Sequence, residues 1–419
     1  MAEPRRIIPF SPPDISEADI EAVTDALRSG WITTGPRTKE LEKALASFTE
    51  AARVATFSSA TMALECALHA LGIGPGDEVI TSAYTYTASC SCICHVGATP
   101  VLCDVAPDSY EMDYEQLASL VTPRTRAIIP VDLGGRMVNY RALFAALDDA
   151  ASRGAWKPDG CNGIARAAEA TAGRPLVIAD GAHSLGATYD GKPSGAVGDM
   201  TAFSFHAVKN LTTAEGGALA WRRGLFPDDE LYQMLMLLSL HGQTKDALAK
   251  ARVGAWEYDI AFPGYKCNMT DLQAALGLSQ LDRYDKLLDR RHAIIAAYEH
   301  GLADLPIEAM PHAGHQEGTS FRSSGHLMLT RLSGQGEPFR NRFIEELGTL
   351  GVASNVHYKP LPLLTAYRNM GFAIEGFPNA LAQYENEVTL PLHTCLSDED
   401  VAYVVDAVHT AYRRAEEAR

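Results

Sequence analysis

The sequence predicts an α/β fold, with a mostly parallel sheet covered by helices on both faces and a smaller α+β unit after it. Three observations predict it. Between about Thr56 and Ala220, short apolar runs alternate with helical patterns, so consecutive strands need crossover helices. Near Asn268 this alternation gives way to one long helical pattern. From Ser324 onward, strand and helix signals return on a smaller scale.

Leu64, Ala67, Leu68 and Leu71 recur at helical spacing, and Gly72 and Gly74 stop that helix. Strand-like runs come at 78–82, 101–105, 127–131, 176–180 and 200–205. An excursion at 154–173, rich in Gly and Ala from 160, is expected at the surface with some helix. Leu272, Ala275, Leu276, Ser279, Gln280 and Arg283 open a helix running towards Tyr298, and a polar stretch fills 311–322. The expected division is a large unit with an N-terminal arm at 1–265, then the long helix and small unit at 266–419.

Bulk properties exclude several classes. A chain of 419 residues that is 47% hydrophobic can bury a large core. Its formal net charge of -16 gives no electrostatic support for nucleic acid or an anionic membrane as partner. No apolar run reaches the roughly 18 residues of a membrane span, so no membrane insertion is expected. Residues 1–6 are basic but lack a signal peptide's apolar stretch, which makes a cytoplasmic protein the expectation. Gly72, Gly74 and Gly76 lie after a helix and before a strand, the reverse of a dinucleotide fingerprint. A nicotinamide enzyme is rejected on that order.

Cys90, Cys92 and Cys94 alternate and precede His95, which superficially suggests a metal site. Zinc ligands come as pairs on turns with a second pair further along. These cysteines read better as small residues packing a helix against a sheet, with no metal expected.

Three pieces carry chemistry. Ser58-Ser59-Ala60-Thr61 directly precedes the helix of Leu64, where free amides and hydroxyls suit a phosphate dianion; an ordinary helix cap fits the same residues. Asp180 ends an apolar run, at the strand edge where open α/β sheets place ligands, though it could merely cap the next segment. Lys209 comes later in Ser204-Phe-His-Ala-Val-Lys209, after a strand and before the turn at Glu215-Gly216-Gly217. A lone loop lysine is usually a solvated charge. A Schiff-base lysine, a carboxylate for a pyridinium nitrogen and a phosphate cradle are, however, a joint requirement of pyridoxal phosphate (PLP) enzymes.

The runs SSATMALECALHALGIGPGDEVITSAYTYTAS, VIADGAHSLGA and FSFHAVKNLTTAEGG resemble the DegT/StrS family of PLP-dependent sugar aminotransferases. So do PGYKCNMTDLQAALGLSQLDRYD from Pro263 and FPNALAQYENEVTLPLHTCLSDEDV near the end, which carries the resemblance from about Phe10 to Val405. It implies a fold type I PLP-dependent transferase. It also implies a nucleotide-linked keto sugar as substrate, an amino-acid donor (usually glutamate), and a homodimer with shared active sites.

By the same resemblance, Lys209 would carry PLP and shuttle the proton. Asp180 would face the pyridine nitrogen, His183 would lie near O3′ or over the ring, and Tyr86 would stack on it. Ala60, Thr61 and Ser204 would bind the phosphate. Lys266 or Asn268 would reach the partner's cofactor, the alternative being a plain loop-to-helix start capped by Thr270. Relatives often carry Asn and Arg at positions 266 and 268; Lys266 and Asn268 resemble instead the branch aminating C4 of UDP-linked 4-keto sugars. His357 and Tyr358 match a stretch that approaches the sugar nucleotide, with an ordinary buried pair as the alternative. Two departures, Val131-Asp132-Leu133-Gly134-Gly135-Arg136 and the 154–173 excursion, are expected to leave room for an unusual sugar or carrier.

Alternative readings are a PLP lyase or dehydratase on the same fold, and a catalytically silent regulatory homologue. The related dehydratases replace the lysine with His, so Lys209 counts against the first. Asp180, His183 and Lys209 together count against the second.

Overall fold

A computed structural model describes residues 6–245 and 257–418. A seven-stranded sheet has the order β1 (Arg53–Phe57), β9 (Gly217–Trp221), β8 (Met200–Ser204), β5 (Leu176–Asp180), β4 (Thr125–Ile129), β2 (Glu78–Ser82), β3 (Thr99–Cys103). Only β9 runs against the others. The expected mostly parallel sheet is thus present.

Successive strand residues feed opposite faces, as the pleat requires. Ala127, Ile129, Leu176 and Ile178 join one core with α3 (Ala60–Ala70), α4 (Ala88–His95), α7 (Gly163–Ala172) and α8 (Asp228–Ser239). Ile128, Val177 and Ala179 face α5 (Tyr114–Leu120) and α6 (Tyr140–Ser152). On the same side, α2 (Pro36–Phe48), α9 (Asp271–Asp282) and α10 (Tyr284–Gly301) cover the β8–β9–β1 end. Helix α1 (Glu17–Arg28) packs on α9.

The short strands β6 (Thr188–Tyr189) and β7 (Lys192–Pro193) join the hairpin β11 (Ala313–Gln316) and β12 (Thr319–Arg322) in a four-stranded sheet. A separate antiparallel sheet, β10 (Glu308–Ala309), β13 (Met328–Arg331) and β14 (Glu387–Leu390), anchors the other core. Packed there are α10, α11 (Glu337–Thr349) and α14 (Asp398–Glu417), along with Ile8 from the N-terminal arm. Helices α12 (Thr365–Asn369) and α13 (Pro378–Asn386) complete that unit.

Three sequence expectations are corrected. Strands β3 and β4 begin two residues earlier than their apolar runs, because Thr99 and Thr125 both register with Glu78. The helix from 272 is two helices, broken at Arg283 with φ of -110°. The 154–173 excursion does not adjoin the ligand end of the sheet. Trp156 donates its indole N–H to Thr125 O at 2.9 Å, and Asn162 Nδ2 donates to Ala70 O at 2.9 Å. Both contacts lie at the amino-terminal ends of the strands, away from the end where open α/β sheets bind ligands.

Candidate active site

The carboxyl ends of β1, β2, β4, β5 and β8 open on one cavity of about 530 Å³. Crevices outside these strand ends are where open α/β sheets bind ligands. Asn355, Val356, His357 and Tyr358 close it from the second unit. Its wall contains Ala60, Thr61, Tyr86, Asp180, His183, Ser204, Lys209, His357 and Tyr358. Residues read as separate motifs therefore converge.

At one end, Ser59 caps α3: its Oγ accepts from Met62 N at 3.1 Å. The amides of Ala60 and Thr61 precede any possible intrahelical acceptor and remain available to an anion. Strand β9 passes close behind. A Cβ at Gly217 would stand 2.3 Å from Ser59 C and Ala60 N, so only glycine lets β9 pair there.

At the floor, Asp180 ends β5 and is buried. Ser89 Oγ donates to Oδ2 at 2.6 Å, and Ala182 N to Oδ1 at 3.2 Å. Burial raises its pKa, against the lowering effect of these hydrogen bonds. Thr85 shares a 2.8 Å hydroxyl contact with Ser89, so β2's following turn steadies the carboxylate.

Lys209 follows a turn closed by its amide on His206 O at 2.9 Å. Burial brings its pKa down from 10.5 to about 8, while the Asp180 charge pulls it upward. Its amine makes no hydrogen bond or ion pair among the described residues, which leaves it free to act as a nucleophile.

His183 is buried and kept neutral, its pKa held well below the usual range by desolvation and the nearby Lys209. Gly134 N donates to His183 Nδ1 at 3.2 Å, so Nδ1 is the acceptor and the ring proton sits on Nε2. Nε2 lies 3.3 Å from Tyr358 Oη. Tyr86, 60% exposed, stands at the mouth with its ring 5.8 Å from that of Tyr358. His357 Nδ1 lies 2.8 Å from Thr389 Oγ1, and burial brings its pKa down to about 4. Ser204, at the end of β8, accepts weakly from His206 N at 3.4 Å.

Lys266 and Asn268 stand outside this cavity in the single chain. Asn268 bridges to Phe57 and lines a different cavity, with Thr34, Lys39 and Tyr232. Lys266 pairs with Leu240 and contacts the Asn268 side chain. Ser89 was not singled out in sequence, although its helical spacing from Thr85 offered a signal. Its helix is the one bearing Cys90 and Cys92, both buried, while His95 meets Glu65 Oε2 at 2.7 Å. Among the departures, Val131 lines the cavity, and Asp132 N bonds Asp180 O at 3.0 Å.

The model of the DegT/DnrJ/EryC1/StrS aminotransferase family matches residues 13–151 and 167–409. The chain is 36% identical over 413 residues to the spore coat polysaccharide biosynthesis protein SpsC of Bacillus subtilis (strain 168), covering 98% of each. It superposes on the putative sugar aminotransferase Spr1654 from Streptococcus pneumoniae, PMP-form, with a TM-score of 0.91 and 51% identity. That match covers 97% of this chain and 100% of the other. Helicobacter pylori PseC, an aminotransferase involved in pseudoaminic acid biosynthesis, matches with a TM-score of 0.81 and 25% identity, over 98% and 100% of the two chains.

Proposed function

The chain belongs to the DegT/DnrJ/EryC1/StrS aminotransferase family and is a PLP-dependent enzyme of fold type I; from that premise we propose that it aminates a nucleotide-linked keto sugar. L-glutamate is the proposed donor, and C4 of a UDP-linked 4-keto sugar the proposed acceptor, serving amino-sugar or cell-surface polysaccharide synthesis in the cytoplasm. The names of Spr1654 and SpsC support the sugar class. The GYKCNMTD segment supports C4.

One observation carries the reading: a free lysine amine, a buried strand-end carboxylate and an uncapped pair of helix-start amides share one cavity. These residues fit PLP. Ala60, Thr61 and Ser204 would hold its phosphate, Asp180 its ring nitrogen, Tyr86 and His183 its ring, and Lys209 its carbonyl carbon. Bound there, PLP supplies an electrophilic carbon for the migrating amino group and a ring that accepts electron density.

The chain's own residues do the rest. The ionised Asp180 carboxylate, held by Ser89 and Ala182, keeps a proton on the group it faces. The Lys209 Nζ would take the proton from the donor's α-carbon and hold it for return on the cofactor side. A pKa of about 8 leaves an appreciable fraction of that amine neutral near pH 7. His357 and Tyr358 orient the sugar at the mouth. The proposed homodimer brings Lys266 or Asn268 to the partner's phosphate site. Residues 1–265 are assigned to cofactor binding, and 266–419 to the linking helix and the closing unit.

A two-stage assay tests this. The PLP enzyme is first reacted with L-glutamate, and the visible band is followed as it disappears. UDP- and dTDP-linked 3-keto and 4-keto sugars, and the same keto sugars without a nucleotide, are then added one at a time. Return of the band with a UDP-linked 4-keto sugar, and a 4-amino product by NMR, is expected. Return only with sugars lacking a nucleotide would refute the acceptor class.

A further inference from the structure

Beside the cavity lies a second buried histidine that the chemistry above does not use. His326 is 4% exposed, and its ring centroid is 4.3 Å from that of His183. Its orientation is fixed by partners distant in sequence. Asn210 Nδ2 donates to Ser324 O at 2.8 Å, which turns the amide's Oδ1 towards His326. His326 Nδ1 lies 2.9 Å from that oxygen and must therefore carry the proton. Asn210 is the residue after Lys209.

The backbone around His326 grips His183 from the other side. His326 N donates to Gly134 O at 3.1 Å, while Gly134 N donates to His183 Nδ1 at 3.2 Å. Ser324 Oγ donates to His183 O at 2.5 Å, and Ser324 N to Gly135 O at 2.9 Å. A Cβ on Gly135 would come 2.1 Å from Ser324 Oγ, so the segments meet without space between them. Burial keeps the His326 ring neutral, and the charges of His183, Lys209, Arg291 and His357 act in the same direction. A neutral ring adds no positive charge beside the Lys209 amine.

We propose that His326 is a positioning residue for amino transfer: it backs the His183 ring and ties it, through Asn210, to the turn carrying Lys209. This rests on the roles given above to Lys209 and His183. The mobile end of Lys209 needs a fixed origin to reach two carbon positions in turn, and Asn210 supplies it. Losing the tie slows the proton transfer and leaves binding of the donor intact.

The test uses the PLP-loaded enzyme in a single-turnover reaction with L-glutamate, protonated or deuterated at its α-carbon. His326→Phe keeps a ring and loses the N–H. His326→Asn places an N–H near the lost Nδ1, and Asn210→Ala removes the acceptor. His326→Phe and Asn210→Ala should each slow the reaction about tenfold, with half-saturating glutamate changed less than about twofold. Both should enlarge the deuterium isotope effect, and His326→Asn should recover most of the rate. Wild-type rates and isotope effects in both His326→Phe and Asn210→Ala would overturn the proposal, even if their thermal midpoints fell. Should His326→Phe not fold, Asn210→Ala decides the matter from the other partner. Failure of the underlying reading looks different, because the wild type would then show no borohydride-sensitive band.

Discussion

Asp180 and Lys209 share the floor of one cavity, and burial shifts the two groups in opposite directions, the carboxyl upward and the amine down to about 8. Each shift favours the neutral form, and each is opposed by the other's charge.

The amine's shift has a direct kinetic consequence. Uptake of PLP by cofactor-free enzyme should accelerate as pH rises through about 8 and level off above it, since the neutral amine attacks. Stopped-flow absorbance measures this. Lys209→Ala should give no band that borohydride can fix to the protein, and should lose about three orders of magnitude or more in turnover. An uptake rate independent of pH from 6 to about 10 would contradict the assigned nucleophile.

Ser89 holds Asp180 with a short hydrogen bond, so Ser89→Ala should act on turnover through the carboxylate. A charge-assisted bond of this kind contributes about 1.5–3 kcal/mol. The expected result is a loss of roughly tenfold or more in kcat, with weaker PLP retention on dialysis. Ser89→Thr, which can restore the donor, should recover part of both.

Asp132 is buried with its pKa raised from 3.8 to about 7 by desolvation, despite donors from Ser184 Oγ and Val138 N. A carboxyl raised in the folded state stabilises the fold while protonated, and that contribution is lost as pH rises from about 4 to about 7. Relative to Asp132→Asn, the wild type should lose stability across that window, by at most about 4 kcal/mol. Urea midpoints at pH 5 and 7.5 measure the difference. Parallel behaviour of the two proteins would show that Asp132 does not titrate there.

Trp156 tests the separation between the excursion and the chemistry. It is 3% exposed and anchors the loop to β4. Trp156→Ala should cost about 3–5 kcal/mol of stability, while kcat and KM of the folded enzyme stay within about twofold. A large change in KM for the sugar would place the excursion back in substrate recognition.

Much of the site was legible because its signals are local. The apolar run of β5 ends in a carboxylate, and Ser59 stands directly before a helical pattern. What stayed hidden depends on contacts between remote segments. The starts of β3 and β4 are set by pairing with Glu78, which apolar periodicity does not report. The break at Arg283 carries no Gly or Pro. Ser89 lay in a stretch read only for packing, and no pattern links Asn210 to His326 across the intervening chain.

The His183 tautomer depends on the amide of Gly134, a main-chain group, which changes how the site can vary over generations. A side-chain donor disappears with one codon change. An amide disappears only with proline, which needs φ near -65°, whereas Gly134 has φ of 66°. Any other residue would keep the donor but push its Cβ to 2.6 Å from Met310 Cε. No single substitution at 134 can therefore delete this bond while leaving the turn intact, and side chains at the mouth of the cavity can change without disturbing the His183 tautomer.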